Sequence, residues 1–269
     1  MDQEVSTFNS QKLQELYPVV HVIVSPPRGS STAFSRVFWE HPSVRYYSHE
    51  PFEVTYYESQ GLDAVMEKLL SPLDLAPIKN HSTNTAGNNL VIKEMPYQVG
   101  PYFPILAALA KPPIMFLIRD PRLNIYSRIQ KKLEVGDSPY FPLIETGWEL
   151  INKQIQYCKA NQIPYLIADS TDFRNAPAAI FPKIFKQFGL DFTDQMLSWK
   201  SCEDVNLDNL EGKHKHLYEK VLSSKGLNPG SEPVPSIDAF PEEHGIRAHV
   251  NTCLKIYQAL LNDNNRVKG

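Results

Sequence analysis

Cysteine is scarce in this chain: Cys158, Cys202 and Cys253 are the only three among 269 residues, far apart and without a Cys-x-x-Cys pair. That excludes a small disulfide-stapled fold and argues against a zinc site, leaving reduced structural thiols as the reading. Glycine is low as well, 12 residues where ~7% usage would give about 19, so no flexible glycine-rich linker is expected. Long hydrophobic runs are missing. The most apolar stretch, Pro104 to Ile118, is broken by Lys111, Pro112 and Pro113 and falls short of the ~18 residues of a membrane span. The opening MDQEVSTFNSQKLQEL is polar and acidic, so no secretory signal is expected. Nor does one sign of charge dominate: 27 Lys and Arg face 30 Asp and Glu, net −3. Such a surface recruits neither nucleic acid nor an anionic membrane wholesale, and any anion site must be built locally. The chain reads as soluble and cytoplasmic, with no nucleic-acid or membrane partner; assembly into homo-oligomers is compatible with it.

What is present suits an ordinary globular protein, with 42% hydrophobic and 21% charged residues and 22 prolines. Five short apolar runs lack polar alternation, as strands covered on both faces do: 19–24, 44–47, 90–92, 114–118 and 165–168. Segments of helical length separate them. Helices are expected over 32–40, 62–70, 103–110, 121–133 and 143–160, with Pro121 at a first helical position. This alternation predicts an α/β fold of three layers around a parallel sheet of about five strands. After about Asp191 the chain turns helical and loop-rich, through KHKHLYEKVLSSKG and a proline-rich 226–241 stretch to a final helix over 242–261. That tail is too small to fold independently, so the expectation is one domain over 1–269, its core about 19–200 and its C-terminal extension about 201–269.

Ligands of open parallel sheets bind beyond the carboxyl ends of the strands. Here those ends are polar every time: SPPRGSST (25–32), SHEP (48–51), KEMP (93–96), RDPRLNIYSR (119–128) and DSTD (169–172). A buried strand running through Pro-Pro-Arg-Gly-Ser-Ser-Thr into an amphipathic helix gathers backbone N–H groups and a helix N-terminus around one point, which suits a phosphate-like anion. Arg28 adds charge there. The G-x-x-x-x-G-K-[ST] spacing of nucleoside triphosphatases is absent. Arg119 ends the fourth strand, and Ser127 lies about two helical turns beyond it, so both can face one phosphate. Arg122 and Arg128 read as solvated helix charges, and Asp169 and Asp172 as turn and cap residues.

These residues resemble the sulfotransferases that use 3′-phosphoadenosine 5′-phosphosulfate (PAPS). The 5′-phosphosulfate loop of that family, Pro-Lys-Ser-Gly-Thr-Thr in its cytosolic members, is matched position by position by Pro27, Arg28, Gly29, Ser30, Ser31 and Thr32, with Arg in place of Lys. Its 3′-phosphate site pairs an Arg that ends a strand with a Ser eight residues on, as Arg119 and Ser127 do. A microbial branch reading roughly PRS-STAF, HEPF, KDM, FLIRDP and mLsW is echoed by PPRGSSTAF, HEPF (49–52), KEM (93–95), FLIRDP (116–121) and MLSW (196–199). The resemblance covers about residues 19–200. It implies PAPS as co-substrate, PAP (3′-phosphoadenosine 5′-phosphate) as product, no metal, and a small-molecule acceptor. One departure matters. Where cytosolic members read Lys-Thr-His-Leu-Pro and supply a base histidine, this chain has Ile92, Lys93, Glu94, Met95 and Pro96. The candidates for the base are Glu50, where other bacterial members carry a glutamate, then His49 and Glu94; Lys93 and Arg28 join the catalytic set. An aromatic-lined acceptor pocket is expected from Tyr46, Tyr47, Phe52, Tyr56, Tyr57, Tyr97, Tyr102, Phe103 and Tyr140. The competing readings are a small-molecule kinase of related fold and a non-catalytic nucleotide-binding protein.

Overall fold

A computed structural model describes residues 10–80, 87–207 and 218–269. Strands form where the apolar runs lie: β1 (Val20–Val24), β2 (Val44–His49), β3 (Leu73–Asp74), β4 (Asn89–Glu94), β5 (Ile114–Ile118) and β6 (Tyr165–Asp169). They pair in the order β3-β2-β4-β1-β5-β6. Every pairing is parallel except that of β2 with the two-residue edge strand β3, which the sequence reading did not anticipate. Every residue of β1, β4 and β5 is buried, the physical reason their sequences run apolar without alternation.

Alternate side chains of each strand feed opposite layers. Val20, Val22 and Val24 join a core with the helices Phe103–Leu109, Trp148–Ala160 and Ile246–Leu261, whereas Ile23, Val91 and Met115 join a second core under Ser31–Trp39 and Pro177–Gln187. His21 also faces the second layer, against Phe38 and Phe188, with neither ring nitrogen hydrogen-bonded among the described residues. All three cysteines are buried and free. No helix among the described residues is long and apolar enough to cross a membrane.

Three helical expectations need correction. The helix expected over 143–160 is split: Gly147 adopts φ 76°, ending a 3₁₀ turn at Leu143–Thr146 before the α-helix begins at Trp148. The final helix starts at Ile246 rather than 242, because Gly245 is left-handed at φ 70°. Two helices, Ser170–Asn175 and Pro177–Gln187, follow β6 where the sequence pattern predicts none. Of the KHKHLYEKVLSSKG segment, the part before Tyr218 lies outside the described residues, as does the opening MDQEVSTFN.

The C-terminal part is tied into the second layer by a buried arginine. Arg36 of the first α/β helix lies between the rings of Trp39 and Trp199, each 5.1 Å away, and donates to the Lys200 carbonyl at 2.6 Å and to Cys202 Sγ at 2.9 Å. This contact gives the MLSW motif a structural role.

Candidate functional site

The chain winds to one side of the sheet after β1 and crosses to the other after β4. The carboxyl ends of β1, β4 and β5 therefore meet where an open sheet forms its crevice. A cavity of about 1080 Å³ opens there.

Its floor is the turn after β1. Ser25 N–H continues the ladder to the Glu94 carbonyl at 3.0 Å, and the backbone then coils through Arg28 (φ 59°) and Ser30 (φ 63°) into the Ser31–Trp39 helix. Only glycine fits between these two left-handed residues. A Cβ on Gly29 would lie 2.5 Å from Ser25 Oγ and 3.0 Å from the Pro26 carbonyl oxygen. Ser30 makes no side-chain cap to the helix, so the first amides of the helix are left for an anion. Pro27, Arg28, Ser30, Ser31 and Thr32 line the cavity.

The second motif closes on the first. Arg28 Nε donates to Ser127 Oγ at 3.2 Å, and Arg119 Nη1 donates to the Arg28 carbonyl at 3.0 Å, joining residues about a hundred positions apart. Asp120 accepts from Arg122 N–H at 2.9 Å and so fixes the start of the helix that carries Ser127. Arg119 Nη2 also meets Glu232 Oε2 at 3.4 Å, and Glu232 meets Arg174 at 3.1 Å. Burial lowers the proton affinity of Arg28 and Arg119, the cost of holding cations out of water.

Beside this anion pole stand the acid–base candidates. Register pairs His49 with Lys93, which sets Glu50 against β4, where its N–H donates to the Lys93 carbonyl at 2.8 Å. Glu50 (φ 50°) is buried, ion-paired to Lys93 and accepting from Gln98 Nε2 at 2.9 Å. Burial alone would raise its carboxyl pKa, but Lys93 and then His49 outweigh burial and hold it far below the usual range. Glu50, Lys93 and Gln98 line the cavity. His49 and Glu94 do not. The His49 ring shares a 2.7 Å hydrogen bond with Tyr47 hydroxyl and places Nε2 3.2 Å from Glu50 Oε1. Glu94 is fully buried and accepts from the backbone N–H groups of Phe52 at 2.9 Å and Met95 at 2.7 Å, fastening the end of β2 to the end of β4. Burial pushes its carboxyl pKa well up. His49 is thus a direct neighbour of Glu50, whereas Glu94 braces the backbone at Phe52 and Met95.

Of the nine aromatics expected around an acceptor, Tyr57 and Tyr97 line the cavity; their hydroxyls lie 3.0 Å apart. Tyr47, Phe52 and Phe103 are core residues, and Tyr46, Tyr56, Tyr102 and Tyr140 lie outside the lining. Tyr126 and Tyr218 line it instead. Arg128 is not a solvated charge. It lines the cavity, pairs with Glu145 and lies 4.3 Å from the Phe141 ring. Asp169 and Asp172 are structural, as expected: Asp169 caps the next helix through Thr171 N–H at 2.7 Å, and Asp172 pairs with Arg266. The sequence reading missed Gln98, Arg174 and Glu232. Arg174 could have been found by extending the fifth strand-end motif one helical turn, whereas nothing in the proline-rich stretch marks Glu232. Among the described residues no group of His, Cys, Asp and Glu side chains is arranged to hold a metal ion.

The family model described as "Sulfotransferase domain" matches residues 20–244. Similar solved structures include the sulfotransferase domain from the curacin biosynthetic pathway, 17% identical, covering 91% of this chain and 98% of that one at TM-score 0.50. Another is the sulfotransferase domain of the Synechococcus PCC 7002 olefin synthase, 16% identical, with coverages of 89% and 94% at TM-score 0.51. At such identity these two show a shared fold. A search of curated proteins by sequence returns no match.

Proposed function

The chain belongs to the sulfotransferase domain family, whose reaction is transfer of a sulfuryl group, and on that premise we propose PAPS as its donor and a small organic molecule bearing a hydroxyl or amine as its acceptor. The observation that carries the proposal is the meeting of two anion motifs, Arg28 with Ser127 and Arg119 with the Arg28 carbonyl, next to a buried ionised carboxylate. The loop of residues 27–32 fits the phosphosulfate end, because the helix N-terminus without a side-chain cap opens on the cavity beside Arg28. Arg119 and Ser127 serve the 3′-phosphate. The acceptor enters over Tyr57 and Tyr97.

In the reaction the acceptor oxygen or nitrogen forms a bond to sulfur while the bond from sulfur to the bridging phosphate oxygen breaks, and its electron pair leaves with PAP. Arg28 and the loop amides stabilise the charge that develops on that oxygen. Glu50 accepts the acceptor's proton. Lys93 is the reason a carboxylate of such low proton affinity can do so. When Lys93 turns from Glu50 toward the departing oxygen, the strongest influence lowering the Glu50 pKa is withdrawn, and its basicity rises as the proton arrives. His49 holds Glu50 in place, and Glu94 braces the backbone just after it. The reading assigns no metal, and locates the activity in a single cytoplasmic domain.

Melting temperature with PAP, compared with ATP and Mg²⁺, tests the donor. PAP at 100 times its dissociation constant should add about 2.7 kcal/mol of stability. Stabilisation by ATP and Mg²⁺ but not by PAP would favour a kinase and overturn the reading. Sulfated product from PAPS and an acceptor mixture would exclude a binding-only role.

A further inference from the structure

Arg119 follows the end of β5 and Arg174 sits in the helix Ser170–Asn175 that follows β6, the strand paired with β5 through Ile118 and Asp169. Their side chains are only 9% and 11% exposed, yet they share one carboxylate, that of Glu232, which is 46% exposed. Each guanidinium is also fixed by contacts that do not involve Glu232. Arg119 Nη1 donates to the Arg28 carbonyl at 3.0 Å; Arg174 donates through Nε to the Asn228 carbonyl at 2.9 Å and through Nη2 to the Pro229 carbonyl at 2.8 Å. The proline-rich strap is itself pinned two residues before Glu232, where Gly230 N–H donates to Asn175 Oδ1 at 2.8 Å. Burial lowers the proton affinity of Arg119, Glu232 raises it, and Arg174 and Arg28 lower it again, as for cations crowded round a single anion.

Building on the PAPS reading above, we infer that Glu232 is a built-in anion seated in the subsite of the nucleotide's 3′-phosphate, and that Arg174 is a second arginine of that subsite beside Arg119. The two guanidiniums are held open in place by backbone carbonyls, so Glu232 can leave without the forks collapsing. A phosphate dianion carries more charge than one carboxylate and presents three oxygens to the same donors. It displaces Glu232, while the strap stays anchored through residues 228–230. The consequence is competition within one chain: nucleotides bearing the 3′-phosphate pay for the removal of Glu232, and those lacking it do not.

The test measures dissociation constants of PAP and of adenosine 5′-phosphate for the wild type, Glu232→Gln and Arg174→Lys. If the self-contact is occupied about nine times in ten, Glu232→Gln binds PAP about tenfold more tightly, while adenosine 5′-phosphate stays within about twofold. Arg174→Lys keeps the charge but loses the two-pronged contact, and weakens PAP more than adenosine 5′-phosphate. No tightening of PAP by Glu232→Gln, or equal tightening of both nucleotides, overturns the role of Glu232. Equal losses for both nucleotides in Arg174→Lys remove Arg174 from the subsite. Should PAP bind neither the wild type nor Glu232→Gln, inorganic phosphate decides: tighter binding by Glu232→Gln keeps the built-in anion and overturns only the PAPS reading, and unchanged binding overturns both.

Discussion

The two ends of the cavity are built differently. At one end the loop of residues 25–30, Glu50, Lys93 and Gln98 are set by strand register and by a turn with no room for a Cβ, and both ionic side chains are almost fully buried. At the other, Arg119, Arg174 and Glu232 come from three separated segments, and the shared carboxylate is half in solvent. The enclosed end is rigid by construction, as a transferring group needs if orientation is to lower the barrier. The strapped end is assembled from side chains that can exchange partners, as a site that must load and release a nucleotide needs.

That contrast breaks most sharply at Glu50. Glu50→Gln should cut turnover by about 10² to 10⁴ while PAP affinity stays within a few fold, read from kcat at saturating PAPS beside direct PAP titration. Turnover near wild type would move the base elsewhere. A next effect acts on the sheet beneath both ends. Burial holds the pKa of His21 down at about 4, against 6.5 ordinarily. Above pH 6.5 neither folded nor unfolded chain protonates it and nothing is lost. As pH falls from 6.5 to 4 the unfolded chain takes the proton first, and His21 costs about 3 kcal/mol of stability. Denaturant midpoints at pH 7 and pH 4.5 for the wild type and His21→Leu check this; an equal acid loss in both would refute it.

Arg119→Ala tests the strapped end. It should weaken PAP by about 1.5 to 3 kcal/mol, leave adenosine 5′-phosphate nearly unchanged and lower kcat little. A matching loss for both nucleotides would erase the distinction between the ends. The smallest effects are in stability, and a glycine pair isolates them. Gly29→Ala at the enclosed end should cost about 1 to 3 kcal/mol through overpacking. Gly230→Ala in the strap, where a Cβ would meet nothing nearer than Asn175 Oδ1 at 3.6 Å, should stay within about 0.5 kcal/mol. Melting temperatures of the two variants give the comparison directly.

The enclosed end was legible in the sequence because its parts are contiguous: an apolar strand, a turn signature and a helix follow one another at 20–39, and the polar strand ends 50 and 93 mark their own positions. The strand spans are close to those expected for the same reason, since burial on both faces writes itself into each run. Pairing was not legible. That Glu50 faces Lys93, that Arg28 touches Ser127, and that Glu94 bridges two backbone amides are facts of sheet order, which no local pattern carries. The helix over 143–160 was misread because its apolar spacing continues across Gly147, while the break lies in that residue's φ angle. Arg128 was misread because an arginine whose partner Glu145 lies on another element looks like any solvated charge on a helix. Glu232 was missed because a proline-rich stretch gives no periodicity with which to place a side chain.

Arg36 sets a limit on how this protein can be dissected. The sheet's last strand ends at Asp169, and a fragment stopping at about residue 200 would look complete by strand count although both layers continue beyond it. It would also remove Cys202 and Val221, two of the groups that receive the Arg36 guanidinium, and leave a chain end where the Lys200 carbonyl now accepts. Stripping partners from a buried charge costs about 3 to 5 kcal/mol, much of the stability of an average domain. The helix Ile246–Leu261 buries Ile246, Val250, Cys253 and Leu260 in the first core, so a library of C-terminal truncations should lose solubility once that helix is cut, before the partners of Arg36 are reached.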